Sequence, residues 1–200
     1  MSSQKRKSLP TANPLFKLVG FLFLFFAITI VFKIYFPVAK AEIVYQVTKS
    51  SPSKTEIKPV NTDFSIVIPK IKVNAKVVKN VDPFDSRIYQ KALTQGVAHA
   101  KGSGLPGFPG NTFIFAHSAI NWFQASQYNS IFYLINKLEP GDEIFIYYEG
   151  GKYRYSVTEK KIVNPSEINY LTNNLNTSSL TLMTCWPPGS NINRLIILAN

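Results

Sequence analysis

The first long apolar stretch, "LFKLVGFLFLFFAITIVFKIYF" at residues 15–36, has no polar face, and Leu18 to Phe32 run without a charged side chain. As a helix those charge-free residues span about 22 Å, short of a bilayer core of about 30 Å. With both flanks the stretch reaches about 33 Å. Lys17 and Lys33 then fall near the two interfaces, where their ammonium groups can snorkel to water. The spacing predicts a membrane-spanning helix over 15–36. Residues 37–61, including "AKAEIVYQVTKSSPSKTEIKPVNT", mix Ser, Thr, Pro and Lys with few large apolar side chains, and predict a flexible linker.

From residue 62 the pattern changes to short β-type runs. "FSIVIPKIKVNAKVVKNV" gives two, split around Pro69 and Asn74, and "QGVAHA" a third. The Gly/Pro-rich loop "KGSGLPGFPGN" leads into "TFIFAH". "SIFYLINKLEPGD" predicts a short helix with Ile131, Leu134, Ile135 and Leu138 on one face, ended by Pro140-Gly141. "EIFIYYEGGKYRYSVTEKKIV" predicts a hairpin around Glu149-Gly150-Gly151. "NPSEINYL" suits one helical turn, and "SLTLMTC" and "RLIILA" are the last strands. About eight short strands with small helical insertions predict a mainly β domain over 62–200, a closed barrel or a sandwich, long enough to bury a real core. No internal repeat interrupts this.

Charge refines the picture. The net charge is +11, but residues 1–61 hold nine Lys/Arg against two Asp/Glu, while residues 62–200 hold thirteen against nine. The excess lies mostly outside the folded part, and no basic stripe is interleaved with stacking aromatics, which excludes a nucleic-acid partner. Lys5, Arg6 and Lys7 precede the apolar stretch. Residues 1–14 therefore read as a cytoplasmic tail, residues 15–36 as an uncleaved transmembrane signal anchor, and the β domain as extracellular. The rival is a cleaved signal peptide, since Ala39-Lys40-Ala41 has the form of a cleavage site. Against it, the apolar stretch is long for a signal peptide and the site lies well beyond its end.

Cys185 is the only cysteine, so the chain forms no internal disulfide. A lone thiol is commonly a small core hydrophobe. As a nucleophile it would need a proton acceptor and an oxyanion stabiliser. The histidines are His99 and His117, and the β domain's arginines are Arg87, Arg154 and Arg194. His117 ends an apolar run, where it can point into a rim cleft or simply sit satisfied in a turn. His99 lies within "GVAHA" and suits a structural role. Arg194 opens the last run. If the last two strands pair across "WPPGSNIN", it shares a rim with Cys185; taken alone, it suits a solvated strand end.

Taken together, "TLMTC", an arginine nine positions after the cysteine and a histidine 68 positions before it resemble the sortase family of membrane-anchored cysteine transpeptidases. Thr181, Leu182, Met183, Thr184 and Cys185 match the family's Thr-Leu-x-Thr-Cys motif, Arg194 its arginine and His117 its histidine. "GVAHAKGSGLPGFPGNTFIFAH" also looks like the family's approach to that histidine, and the resemblance covers roughly residues 62–200. Ala116 stands where many sortases have glycine. Asp82-Pro83-Phe84 is similar to the lid motif of pilus-building sortases, but it follows two strands here and reads as a loop.

The resemblance implies an eight-stranded sortase-type β-barrel with short helices. It implies that Cys185 attacks a carbonyl in a C-terminal LPXTG-like sorting motif of a surface or pilin protein, with His117 moving protons and Arg194 stabilising the oxyanion or positioning substrate. An amine acceptor, a peptidoglycan precursor or a pilin lysine, would resolve the thioester. The peptide would lie near the loop at about residues 161–178, made polar by Asn164, Asn169, Asn173 and Asn174. Thr184, Asn173 and Asn174 are the candidate substrate-binding residues, although Thr184, one position from Cys185 on a strand, points to the opposite face and suits packing or backbone support. No cofactor and no metal are expected. Some sortases use calcium, but no dense acidic patch supports it here. A peptidase using water in place of the amine, or a non-catalytic membrane-tethered β domain, are the competing readings.

Overall fold

The computed structural model describes residues 14–49, 57–118, 130–170 and 176–200. The chain divides into two compact units, Met1–Phe36 and Pro37–Asn200. Helix α1 runs over Pro14–Lys49. Its first part, Pro14–Lys33, has a mean hydropathy of 2.6 and is long and apolar enough to cross a membrane. The Thr29 hydroxyl in that stretch donates to the Phe25 and Phe26 carbonyls, so the helix itself satisfies it.

The flexible linker expected over 37–61 begins instead as helix, because α1 continues to Lys49, and residues 50–56 lie outside the described residues. After Pro37 the sequence has neither Gly nor Pro until Pro52. Gln46 donates to Glu42 one turn away at 2.8 Å. Tyr45 is buried, and Lys137 reaches both Glu42, at 3.3 Å, and the Tyr45 ring. Side-chain anchoring of this kind outweighs a composition suited to a loop. Residues 57–63 are irregular but pinned: the Asn74 side chain accepts from the Val60 amide and donates to the Lys58 carbonyl.

The second unit holds strands β1 (Phe64–Ile68), β2 (Val73–Val81), β3 (Val97–Ala100), β4 (Gly110–Phe115), β5 (Glu143–Tyr148), β6 (Gly151–Val163), β7 (Ser178–Trp186) and β8 (Asn193–Ala199). They close in the order β1-β2-β3-β4-β7-β8-β6-β5. This is the mainly β, eight-stranded barrel with few short helices that the run of short strands implies, and closure leaves no free edge. Register partners such as Ile114, Leu182 and Ile197 share the inner face and are fully buried. The β5–β6 turn, Glu149-Gly150, has positive φ at both positions, the geometry that matches strand twist in a two-residue hairpin.

Two connections differ from the sequence reading. Helix α2 (Ser86–Leu93) carries the crossover between parallel β2 and β3. Asp85 caps it, accepting from the Arg87 and Ile88 amides. That cap, followed by eight residues free of Gly and Pro, is the signal that marks α2 in the sequence. Asp82-Pro83-Phe84 forms the bend between β2 and α2 and leaves Phe84 exposed. The helix expected near Ser130–Leu138 is instead a chain of turns ending in a 3-10 turn, Ile135–Lys137. Its bonds reach back three residues, as in Tyr133 to Ser130 and Lys137 to Leu134. Leu134, Ile135 and Leu138 are buried and Ile131 partly so, so the apolar positions reach the core without an α-helix.

Candidate active site

Strands β4 and β7 pair in parallel, with Gly110 opposite Ser178 and Phe115 opposite Met183. The offset is constant, and the pairing persists past the last ladder residue, because the Ala116 amide donates to the Met183 carbonyl at 3.2 Å. Continued two positions beyond Phe115, the same register brings His117 level with Cys185. On the other side β8 runs antiparallel to β7, and Arg194 stands directly opposite Cys185. Residues level with one another on neighbouring strands project from the same face. Cys185 and Arg194 therefore stand opposite one another on β7 and β8, and His117 follows two positions past the end of β4, the strand on the other side of β7.

That face is the outer one. Leu182 and Thr184 alternate into the barrel, so Met183 and Cys185 project outward. The outer wall is nonetheless covered: Phe113, Phe115 and Ile196 are buried on it, and Tyr89 of α2 meets Phe115 edge-on. Cys185 itself is partly exposed, so the thiol lies at the margin of a covered wall, where a peptide can reach it.

His117 is the most constrained of the three. Its carbonyl accepts from the Phe132 amide at 3.3 Å. Its Nε2 lies 3.2 Å from the Gln90 side-chain oxygen on α2. Burial pushes the imidazole pKa below the ordinary 6.5, because little water remains to solvate the cation. Arg194 donates from Nη1 to the Asn191 and Asn193 carbonyls, at 3.1 and 3.0 Å, which ties the guanidinium to the β7–β8 loop. Its other N–H groups remain a donor set for a carbonyl or an oxyanion.

Thr184 belongs elsewhere. It is buried, and its hydroxyl donates at 2.8 Å to the Ala116 carbonyl just past the end of β4. It points to the face opposite Cys185 and there supports the β4–β7 seam. Asn173 and Asn174 lie outside the described residues. Before them, the Tyr170 carbonyl accepts from Asn111 at 2.7 Å, while Thr181 donates to the Asn111 oxygen at 2.9 Å. Gln90 and Asn111 are the polar residues here that the sequence did not single out. Each acts through a neighbour distant in sequence, so no local motif marks them.

His99 sits away from this row. Its Nδ1 accepts from the Asn80 amide, and its Nε2 bonds the Gly104 carbonyl and lies 2.9 Å from the Ser103 hydroxyl. Burial, aided by Lys79, holds the ring neutral despite the Gly104 bond. Both nitrogens are in use, which is the satisfied structural histidine its mid-strand position suggests.

The sortase-domain family model matches residues 66–200. Sortase D of Bacillus subtilis (strain 168) is 26% identical over 142 residues, covering 70% of this chain and 63% of that protein, so the match spans less than two thirds of that relative's length. The sortase D5 transpeptidase of Clostridium perfringens is 25% identical with a TM-score of 0.57, over 84% of this chain and 94% of that one. A lid mutant of sortase A from Corynebacterium diphtheriae is 26% identical with a TM-score of 0.57, over 77% and 75%. With a family model matched over most of a closed eight-stranded barrel in which Cys185 on β7 faces Arg194 on β8 and His117 follows β4, the chain belongs to the sortase family.

Proposed function

We propose that this protein is a membrane-anchored cysteine transpeptidase that cuts a C-terminal LPXTG-like sorting motif in surface or pilin proteins and passes the acyl fragment to an amine. The observation that supports the reading is the pairing of Cys185 with Arg194 across β7 and β8, with His117 two positions past the end of neighbouring β4. Cys185 Sγ attacks the scissile carbonyl. A neutral His117, favoured by its burial, takes the thiol proton and hands it to the departing amine. Arg194 donates to the carbonyl oxygen as negative charge develops there. The resulting thioester is opened by an incoming amine, from a peptidoglycan precursor or a pilin lysine, whose proton passes to His117. The β6–β7 loop, with Asn173 and Asn174, selects the substrate. The apolar part of α1 anchors the protein, with the basic tail cytoplasmic and the barrel outside.

The test is a peptide assay on the full chain in detergent, using a sorting-motif peptide with and without an added amine. The expected results are a covalent peptide adduct on Cys185 and an amine-dependent transfer product. Cys185→Ala should remove both, lowering turnover on the order of a thousandfold or more while the barrel stays folded. Hydrolysis unaffected by the amine would instead identify a peptidase, and full activity of the alanine variant would remove the thiol from the mechanism.

A further inference from the structure

His117 is bonded by a side chain outside the row of three. Helix α2 is fixed at its start by the Asp85 cap and along its length by the edge contact of Tyr89 with Phe115. The next residue, Gln90, thereby presents its oxygen to His117 Nε2 at 3.2 Å. An amide oxygen offers lone pairs and no hydrogen, so the bond requires Nε2 to carry the proton. The imidazole backbone is itself held: β7 bonds Ala116 from both sides, through the Met183 carbonyl and the Thr184 hydroxyl, and Phe132 donates to the His117 carbonyl. With backbone and one ring nitrogen fixed, the remaining choice is which nitrogen works.

We infer that Gln90 is a positioning residue for the proposed thiol chemistry, holding His117 as the Nε2–H tautomer and leaving Nδ1 as the nitrogen that exchanges protons with the reacting groups. In the neutral ring Nδ1 presents its lone pair to the proton leaving Sγ. In the imidazolium Nδ1–H donates that proton to the departing amine, while Nε2–H stays on Gln90. The ring need not turn over between the two half-reactions. The kinetic consequence rests on the proposed catalytic roles of Cys185 and His117; the tautomer rests on the hydrogen bond alone.

Among the described residues, the charged and titratable groups on the elements packed around His117 are Cys185 on β7, Arg194 on β8, Asp85 at the cap of α2, Arg87, Tyr89 and Lys91 on α2, and Tyr133 and Lys137 in the following turns. Substitution at Gln90 leaves all of them in place. The experiment uses the full chain in detergent micelles, labelled with 15N-histidine, and assigns His117 by the signals lost in His117→Asn. Long-range 15N–1H correlation at pH 8 should show Nε2 protonated. Gln90→Leu should lose that preference and lower kcat roughly tenfold to a hundredfold with little change in KM. Gln90→Glu should keep the tautomer and move the imidazole limb of the pH–rate profile to higher pH, because a carboxylate stabilises the cation. An Nδ1–H tautomer in the native chain, or a tautomer and pH profile untouched by Gln90→Leu, would overturn the inference. If the native chain shows no peptide transfer, the functional reading falls, while the tautomer spectra still decide the role of Gln90.

Discussion

At the scale of single residues, the thiol's neighbours depend on strand ends rather than on a loop, and those ends are braced from inside the barrel. Thr184 is the brace nearest the thiol. Replacing it with valine keeps the shape but leaves the buried Ala116 carbonyl without its hydroxyl partner. The expected cost is about 1–3 kcal/mol, read by urea unfolding, together with a several-fold loss of turnover as the His117 backbone loosens. Thr184→Ser, which keeps the hydroxyl, should retain most of both. The histidines set a pH dependence. His99 and His117 are each held below the ordinary 6.5 by burial, so the unfolded chain binds their protons more readily. Their contribution is complete above about pH 6.5 and is lost as the pH falls beneath it, by at most about 1.4 kcal/mol per pH unit for each ring. Glu42 and Glu139, lowered from 4.5 chiefly by hydrogen bonds from Gln46 and Lys160, act only below that value. The urea midpoint should therefore be flat from pH 8 to 7 and decline between about 6.5 and 4.5; a flat midpoint there would remove the buried-imidazole explanation. The pairing of Cys185 with Arg194 was legible in sequence because the last two strands adjoin in the chain, whereas His117 was marked by the family resemblance rather than by its own surroundings. Gln90 was not, because its meeting with His117 depends on α2 lying against β4.

At the scale of elements, local signals and tertiary demands disagree in instructive places. The hairpin at Glu149-Gly150 and the strand "SLTLMTC" were readable from turn residues and β-branched runs. Helix α2 was missed although Asp85 marks its start, and the turns at 130–138 looked helical because an apolar stripe of that spacing also suits a 3-10 chain. The Gly/Pro-rich loop before β4 makes a sharper test. Gly107 has φ +81, and a Cβ there would lie 2.1 Å from the Tyr153 ring on β6; Gly150 has the same φ with nothing within 4 Å. Gly150→Ala should cost about 1–2 kcal/mol from backbone strain alone. Gly107→Ala should cost about 1–3 kcal/mol more, since the ring must also move. Equal losses in denaturant titrations would show that the Gly107–Tyr153 contact does not constrain the loop.

At the scale of the whole molecule, the apolar stretch of α1 was legible beforehand, since Leu18 to Phe32 run without a charge and the flanks bring the stretch to the length of a membrane span. Arginines in place of Leu24 and Phe25 should each oppose membrane insertion by about 2.5–3.5 kcal/mol. The double variant should move the protein from the carbonate-resistant membrane fraction to the supernatant. Retention in that fraction would place the anchoring elsewhere in the chain. The length of α1 was not legible, because the hold on its last turns comes from Lys137, far along the sequence.

Strand β8 lies between β7 and β6. The same strand that shuts the cylinder brings Arg194 to the thiol. A chain with β8 still unpaired has a cysteine but neither a sealed wall nor a guanidinium facing it. Folding of a small barrel is cooperative, so under the proposed mechanism reactivity switches on in one step with completion of the fold. Half-built copies would then be chemically mute.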